Sequence, residues 1–288
     1  MTTTSTLRTR EGAIGGLFTS GPTKPYVPRR QYAFYVLVTV VAILVVLSLI
    51  TNPNYQWDIV AQYLFAPSIL QGLWVTVWIT FVCMAISAFL GLLLASMGLA
   101  QSLYVRGAAE VYIAFFRGTP LLVQLIFWYN ISALYPDFTI GIPFGPQFFD
   151  LDLNSVITPI VAAIMGLALN EAAYMAEIFR GGLNGLPKGQ IEAADALGLS
   201  GGTKVRKVIL PQLLPIVVPP TWNQMIGMLK NTALISVIGA GELLYSAQSI
   251  YARTYQTIPL LIVVSLWYLA LSIALTIVQR KIEKAVKK

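Results

Sequence analysis

A chain of 288 residues that is 57% hydrophobic and only 11% charged, with a mean hydropathy of +0.72, lacks the polar surface of a soluble domain, where about a quarter of residues are charged. With no histidine and one cysteine, Cys83, it has no intrachain disulfide, no zinc ligand set and no base for a Ser-His or Cys-His nucleophile. The net charge of +7 is spread between apolar runs rather than gathered on one patch, which argues against nucleic acid.

Residues 1–31 are polar, scattered with Gly, Pro and Thr, and carry Arg8, Arg10, Lys24, Arg29 and Arg30; they read as a basic tail. Residues 33–50 hold no charge and are followed by no small-residue cleavage pattern, so they read as a retained first span rather than a signal peptide. Residues 51–67 have no Lys or Arg and carry Pro53, Trp57 and Tyr63, as an outer interface would. Further spans are expected over 69–99, 111–134, 156–179, from Pro215 to 238, and over 258–278. The segment 135–154 is rich in proline and aromatics, with Asp137, Asp150 and Asp152 and no basic residue. Cys83 lies within an apolar run and packs there as a small hydrophobe.

Charge tests this layout. With six spans and both termini inside, every Lys and Arg except Lys230 and Arg253 falls on the cytoplasmic side, as the positive-inside rule requires. The expected fold is an all-α polytopic membrane protein. Its parts are a tail (1–31), an extra N-terminal helix and outer loop (32–67), a membrane domain (68–280) and a second basic tail (281–288).

The segment 185–211 then lies in the cytoplasm. Pro187 and Gly189 break the preceding helix, residues 190–197 read as two helical turns, and Gly198 supplies the left-handed stop. Ile191, Ala194 and Leu197 fall near one face, and Glu192 and Asp195 share another. So short a helix is marginal alone and needs something to dock on. A surface turn between spans would have the same composition, but the spacing is more particular. Glu192-Ala193-Ala194, three residues, Gly198, nine residues, then Val208-Ile209-Leu210-Pro211 resembles the EAA loop of ABC-importer membrane subunits, with Val208 in place of the usual Ile. In that family the short helix enters a cleft on the ATP-hydrolysing subunit. Glu171-Ala172-Ala173 fails the same pattern, since Glu177 stands where the glycine should be. Leu199-Ser200-Gly201-Gly202-Thr203 looks like a nucleotide-binding signature, but the chain has no phosphate loop to accompany it, so ATP is bound elsewhere.

Ionisable groups inside spans are costly and mark function by default. Arg117 and Glu177 lie near the inner face, where an anchor or an ion pair accounts for them. Glu171 stands about 12 Å in from the inner end of its span, at ~1.5 Å per residue, with Asn223 and Gln224 at similar depth. A carboxylate with two amides suits an ammonium or guanidinium group; hydrogen bonding between helices is the plainer alternative. Lys230, beside Asn231 and Thr232, either meets a substrate carboxylate or pairs with Glu242.

The runs Phe116–Gln124, Ala173–Gly182 and Leu229–Leu234 narrow the resemblance to the polar-amino-acid branch of ABC permeases, over roughly residues 68–279. It implies coupling through Glu192, Ala193, Ala194, Asp195 and Gly198; the polar groups within the spans put Gln124, Asn170, Glu171, Asn223, Gln224 and Lys230 along the expected substrate path. The implied partners are ATP-binding subunits, a second permease, identical or homologous, an external substrate-binding protein and an amino acid. The chain would sit in the bacterial inner membrane, without cofactor, metal or catalytic group of its own. An ion-coupled secondary transporter is the alternative, and gives the EAA spacing no purpose.

Overall fold

The computed structural model describes residues 29–141 and 147–286, so most of the expected basic tail lies outside it. The chain divides into two units at Tyr55/Gln56. The first contains α1 (Arg29–Thr51), apolar and free of charge from Gln31 to its end, then a single 3-10 turn, Pro53–Tyr55.

The second unit begins with the short α2 (Trp57–Leu64) and the long α3 (Pro67–Gly98), which spans about 48 Å at ~1.5 Å per residue. Next come α4 (Leu103–Gly118) and α5 (Leu121–Tyr129). A two-stranded antiparallel hairpin follows, β1 (Asp137–Gly141) and β2 (Gln147–Asp152), pairing Asp137 with Asp152. Asp152 also caps the single turn α6 (Leu153–Val156) by accepting from Asn154 N at 2.9 Å. The central helix is α7 (Pro159–Asn184). Beyond it lie α8 (Lys188–Ala196), α9 (Gly201–Lys204), a π-helical turn (Val205–Ile209) and α10 (Leu210–Asn231). A 3-10 stretch (Thr232–Ile238), α11 (Leu243–Thr254) and α12 (Thr257–Val286) complete it.

Among the described residues four helices, α1, α3, α7 and α12, are long and apolar enough to cross a membrane, and six spans result when each of two bent pairs counts as one. The first pair corrects the expected straight span over 111–134: α4 and α5 meet at 102°. The second runs from α9 to the 3-10 stretch and then bends by 44° into α11, so that span starts well before Pro215, while α11 itself was not expected. The small hairpin is likewise an addition to the all-α reading.

Apolar burial between helices gains nothing over lipid, so spans associate by close packing of small residues and by polar contacts. Helix α7 supplies both. Ala162, Ala163, Ala168, Ala172, Ala173 and Ala176 are buried along it. A Cβ on Gly91 of α3 would lie 2.5 Å from Met175 Cβ and 3.0 Å from the backbone nitrogen of Ala176. Ser87 Oγ of α3 donates to Ala168 O at 3.0 Å, and Tyr112 OH of α4 to Leu169 O at 2.9 Å. Cys83 is buried at this centre with Ile79, Leu125, Leu167 and Met228.

The bend between α4 and α5 has a local cause. Pro120 has no N–H, so the carbonyl of Phe116, four residues earlier, loses its helical partner. Two side-chain amides take its place: Gln124 Nε2 donates to Phe116 O at 3.1 Å and Asn170 Nδ2 at 2.8 Å. Gln124 Nε2 also reaches Thr119 O (3.2 Å) and Thr119 Oγ1 (2.6 Å), while its Oε1 accepts from Asn170 Nδ2 at 3.1 Å. The broken backbone is thus clamped from α5 and α7 together.

Two expectations follow. Gly91→Val, forced against α7 backbone, should destabilise the protein by about 1–3 kcal/mol, whereas Gly107→Ala, with nothing near its added carbon, should not; thermal midpoints of the purified protein compare them. Gln124→Leu should likewise cost about 1–3 kcal/mol, because it strips the Thr119 carbonyl of its donor and Asn170 of its acceptor. Glu171→Gln should leave the midpoint unchanged, since one of its oxygens, Oε1, has no partner to lose.

Candidate functional site

The α4–α5 break, one face of α7 and the end of α10 line an open cavity of about 430 Å³. Its walls are Arg117 to Leu121 from the break, Asn170, Glu171 and Tyr174 from α7, Gln224 and Asn231 from α10, and Leu234. Glu171 is only 5% exposed, and its Oε1 has no hydrogen-bond partner among the described residues. An unpaired carboxyl oxygen there costs free energy unless something outside the chain completes it. Arg117 lies over the Tyr174 ring at 5.4 Å and is 3.7 Å from Glu177 Oε1, which Arg180 also holds at 2.6 Å. The ion pair expected for Arg117 and Glu177 is present, and Arg117 also lines the cavity.

The six residues expected along a substrate path separate into groups. Asn170, Glu171 and Gln224 meet at the cavity. Gln124 stands behind Asn170, its amide committed to the broken backbone, so it is a support rather than a lining group. Asn223 turns away and accepts from Gln279 Nε2 of α12 at 3.1 Å. Lys230 is exposed and makes no ion pair among the described residues. The bridge to Glu242 is corrected: Glu242 is fully buried and accepts from Leu244 N, Tyr245 N and Tyr268 OH at 2.8, 2.7 and 3.0 Å. Helical spacing explains the split. Gln224 and Asn231 are seven apart and share a face, as do Asn223 and Lys230 on the next face round. The same rule places Tyr174, three residues after Glu171, in the site, which composition alone had not suggested.

A second feature lies at the other end of α7. Gly185, not Pro187, closes that helix, and Pro187 opens α8, with Gly189 inside it. Past Leu197, Gly198 adopts φ +65°. Gly198 N then donates to Asp195 O at 2.9 Å and Leu199 N to Ala194 O at 3.1 Å, the paired bonds of a Schellman cap. Ala194 is buried while Glu192, Ala193 and Asp195 are exposed. Leu197 is 78% exposed, so it does not share the inward face expected for it with Ala194. Lys204 of α9 holds Asp195 Oδ1 at 2.6 Å, tying α8 to the base of the π turn.

Comparison with known proteins agrees with this architecture. Residues 87–288 match the family described as "Binding-protein-dependent transport system inner membrane component". The arginine transport system permease protein ArgU of Corynebacterium glutamicum is 36% identical over 263 residues, covering 91% of this chain and 81% of its own. The glutamine transport system permease protein GlnP of Escherichia coli is 33% identical, covering 81% of this chain and 99% of its own. Among solved structures, an amino acid ABC transporter crystallised with histidines superposes with a TM-score of 0.66 at 31% identity, over 78% of this chain and 97% of that one. An inward-facing MetNI methionine transporter, with a TM-score of 0.61 at 21% identity over 77% and 97% of the two chains, shares the fold. The chain belongs to the binding-protein-dependent inner membrane components, the membrane permeases of ABC importers.

Proposed function

We propose that the chain forms the translocation path of an importer for polar amino acids, with preference for those bearing an extra cationic group. The observation that carries the substrate class is Glu171: a buried carboxylate with an unpartnered oxygen, in a cavity whose other polar walls include the amides of Asn170, Gln224 and Asn231. Such a group favours a ligand that brings positive charge and N–H donors. The arginine permeases of Corynebacterium glutamicum and Bacillus subtilis, 36% and 34% identical to this chain, support the preference.

The partners in this reading are two ATP-hydrolysing subunits, a second permease, identical or homologous, and an external substrate-binding protein. Glu192, Ala193 and Leu197 of the capped α8 segment face the ATPase, and Asp195 with Gly198 fixes their presentation. Closure of the ATPases moves α8, and the spans around the cavity reorganise to expose it to alternate sides. Arg280, Lys281 and Lys284 at the end of α12, with the basic residues of 1–31, support a cytoplasmic setting for both termini. The permease core is 68–280, with α1 as an addition ahead of it, and the inner membrane of a bacterium as its setting. ATP chemistry stays with the separate subunit.

In the assembled transporter in liposomes, Glu192→Lys and Gly198→Asp should each remove most of the ATPase stimulation by loaded binding protein without preventing assembly. Hydrolysis and transport at the unsubstituted level would make the α8 spacing an accident and restore the ion-coupled alternative. Separately, Glu171→Gln should lower arginine uptake by about tenfold, the loss of one charge-assisted contact; unchanged uptake and unchanged preference among amino acids would remove Glu171 from substrate selection.

A further inference from the structure

Helices α3 and α11, with Tyr63 of α2, line an open groove of about 630 Å³ that shares no residue with the cavity beside Glu171. Its depth follows from α12. No charged residue stands between Arg253 and Arg280, and ~30 Å of hydrocarbon counted back from Arg280 at ~1.5 Å per residue ends near Leu260. Arg253, in the last turn of α11 just ahead of α12, therefore stands at the headgroup level of the leaflet opposite Arg280. The groove runs inward from there. Thr76 Oγ1 accepts from Leu243 N at 3.1 Å, and Tyr268 OH donates to Glu242 at 3.0 Å. Val75 and Gly241 are thus level with Tyr268, ~12 Å below Leu260 at the same rise. Trp74 and Trp78, 68% and 41% exposed, follow Gln71 and Val75 along one side of α3, an aromatic edge suited to the membrane boundary.

The chemistry of the wall selects the lipid. Arg253 lines the groove and makes no ion pair among the described residues, and its planar guanidinium matches a phosphate. Ser249 and Thr254 donate to Tyr245 O and Ile250 O at 3.0 and 3.1 Å, which leaves their oxygens as acceptors, and Gln71 adds an amide. No carboxylate is among the described walls, so the ammonium of a zwitterionic headgroup would meet no opposite charge there. Neutral hydroxyls would be served. At the inner end Val75 and the ring of Tyr245 offer apolar surface to an acyl chain. We propose that this groove binds an anionic phospholipid with a glycerol headgroup, its phosphate on Arg253 and a chain lying between α3 and α11.

Native mass spectrometry tests this on the purified transporter, released from nanodiscs of equimolar dioleoyl phosphatidylglycerol and dioleoyl phosphatidylcholine. The unsubstituted protein should retain one more phosphatidylglycerol per copy of this chain than Arg253→Gln does. At that site the glycerol lipid should be favoured over the choline lipid by about tenfold. Arg253→Lys should keep the extra lipid. Arg253→Gln combined with Tyr255→Arg, which returns the charge outside the groove, should not regain it. Recovery in that double variant, or an extra lipid drawn equally from both headgroups, overturns the site. Equal counts in the unsubstituted and Arg253→Gln proteins overturn it too, and if Arg253→Gln also loses stimulation by the binding protein, Arg253 belongs to that contact instead.

Discussion

A single backbone carbonyl governs much of this structure. In a membrane every peptide group must find a partner within the protein or in a lined cavity, and Pro120 deprives Phe116 O of the one a helix would give it. A straight span through this position is therefore disfavoured, and the chain turns through 102° instead. The turn is tolerable because Gln124 returns an amide from one side and Asn170 from the other. Polar contacts between spans are individually weak, about 0.6 kcal/mol on average in one measured case, but here one pair of amides serves two carbonyls, a hydroxyl and each other. The cavity beside Glu171 is the space the turn opens.

Helix α7 links this site to α8. Its alanine-lined face packs so closely on α3 that Gly91 has no room for a side chain, and the same helix carries Asn170, Glu171 and Tyr174. Three residues past its end, α8 leaves at Pro187. A surface ion pair such as Asp195–Lys204 contributes little to stability, typically 0.2–1 kcal/mol. Its effect is geometric: it closes a short loop through Gly198 and holds α8 against the start of the span that supplies Gln224 and Asn231.

What the sequence revealed follows from how local each signal is. The apolar runs and the Gly198 stop are local, and they placed most of the spans and the end of α8. The identity of the cavity walls depends on rotation about helix axes. Asn223 and Gln224 are neighbours in sequence but a hundred degrees apart on α10, so depth alone grouped them wrongly, as it grouped Lys230 with Asn231. Glu242 looked like a partner for Lys230 because nothing in sequence announces that a carboxylate will cap the helix that follows it. The α4–α5 bend had a visible cause in Pro120, yet proline within a span is also tolerated as a mild kink. The two receiving amides decide between those outcomes, and one of them lies 54 residues from Phe116.

The clamp also separates what can vary from what cannot. Position 120, position 124 and position 170 form a unit: losing the proline leaves amides competing with a restored helical bond, and losing either amide leaves the other without its partner. Glu171, Gln224 and Asn231 carry no such joint obligation in this structure. A lineage built on this frame can therefore change the cavity wall one residue at a time, while the scaffold beneath the wall changes only by coordinated replacement.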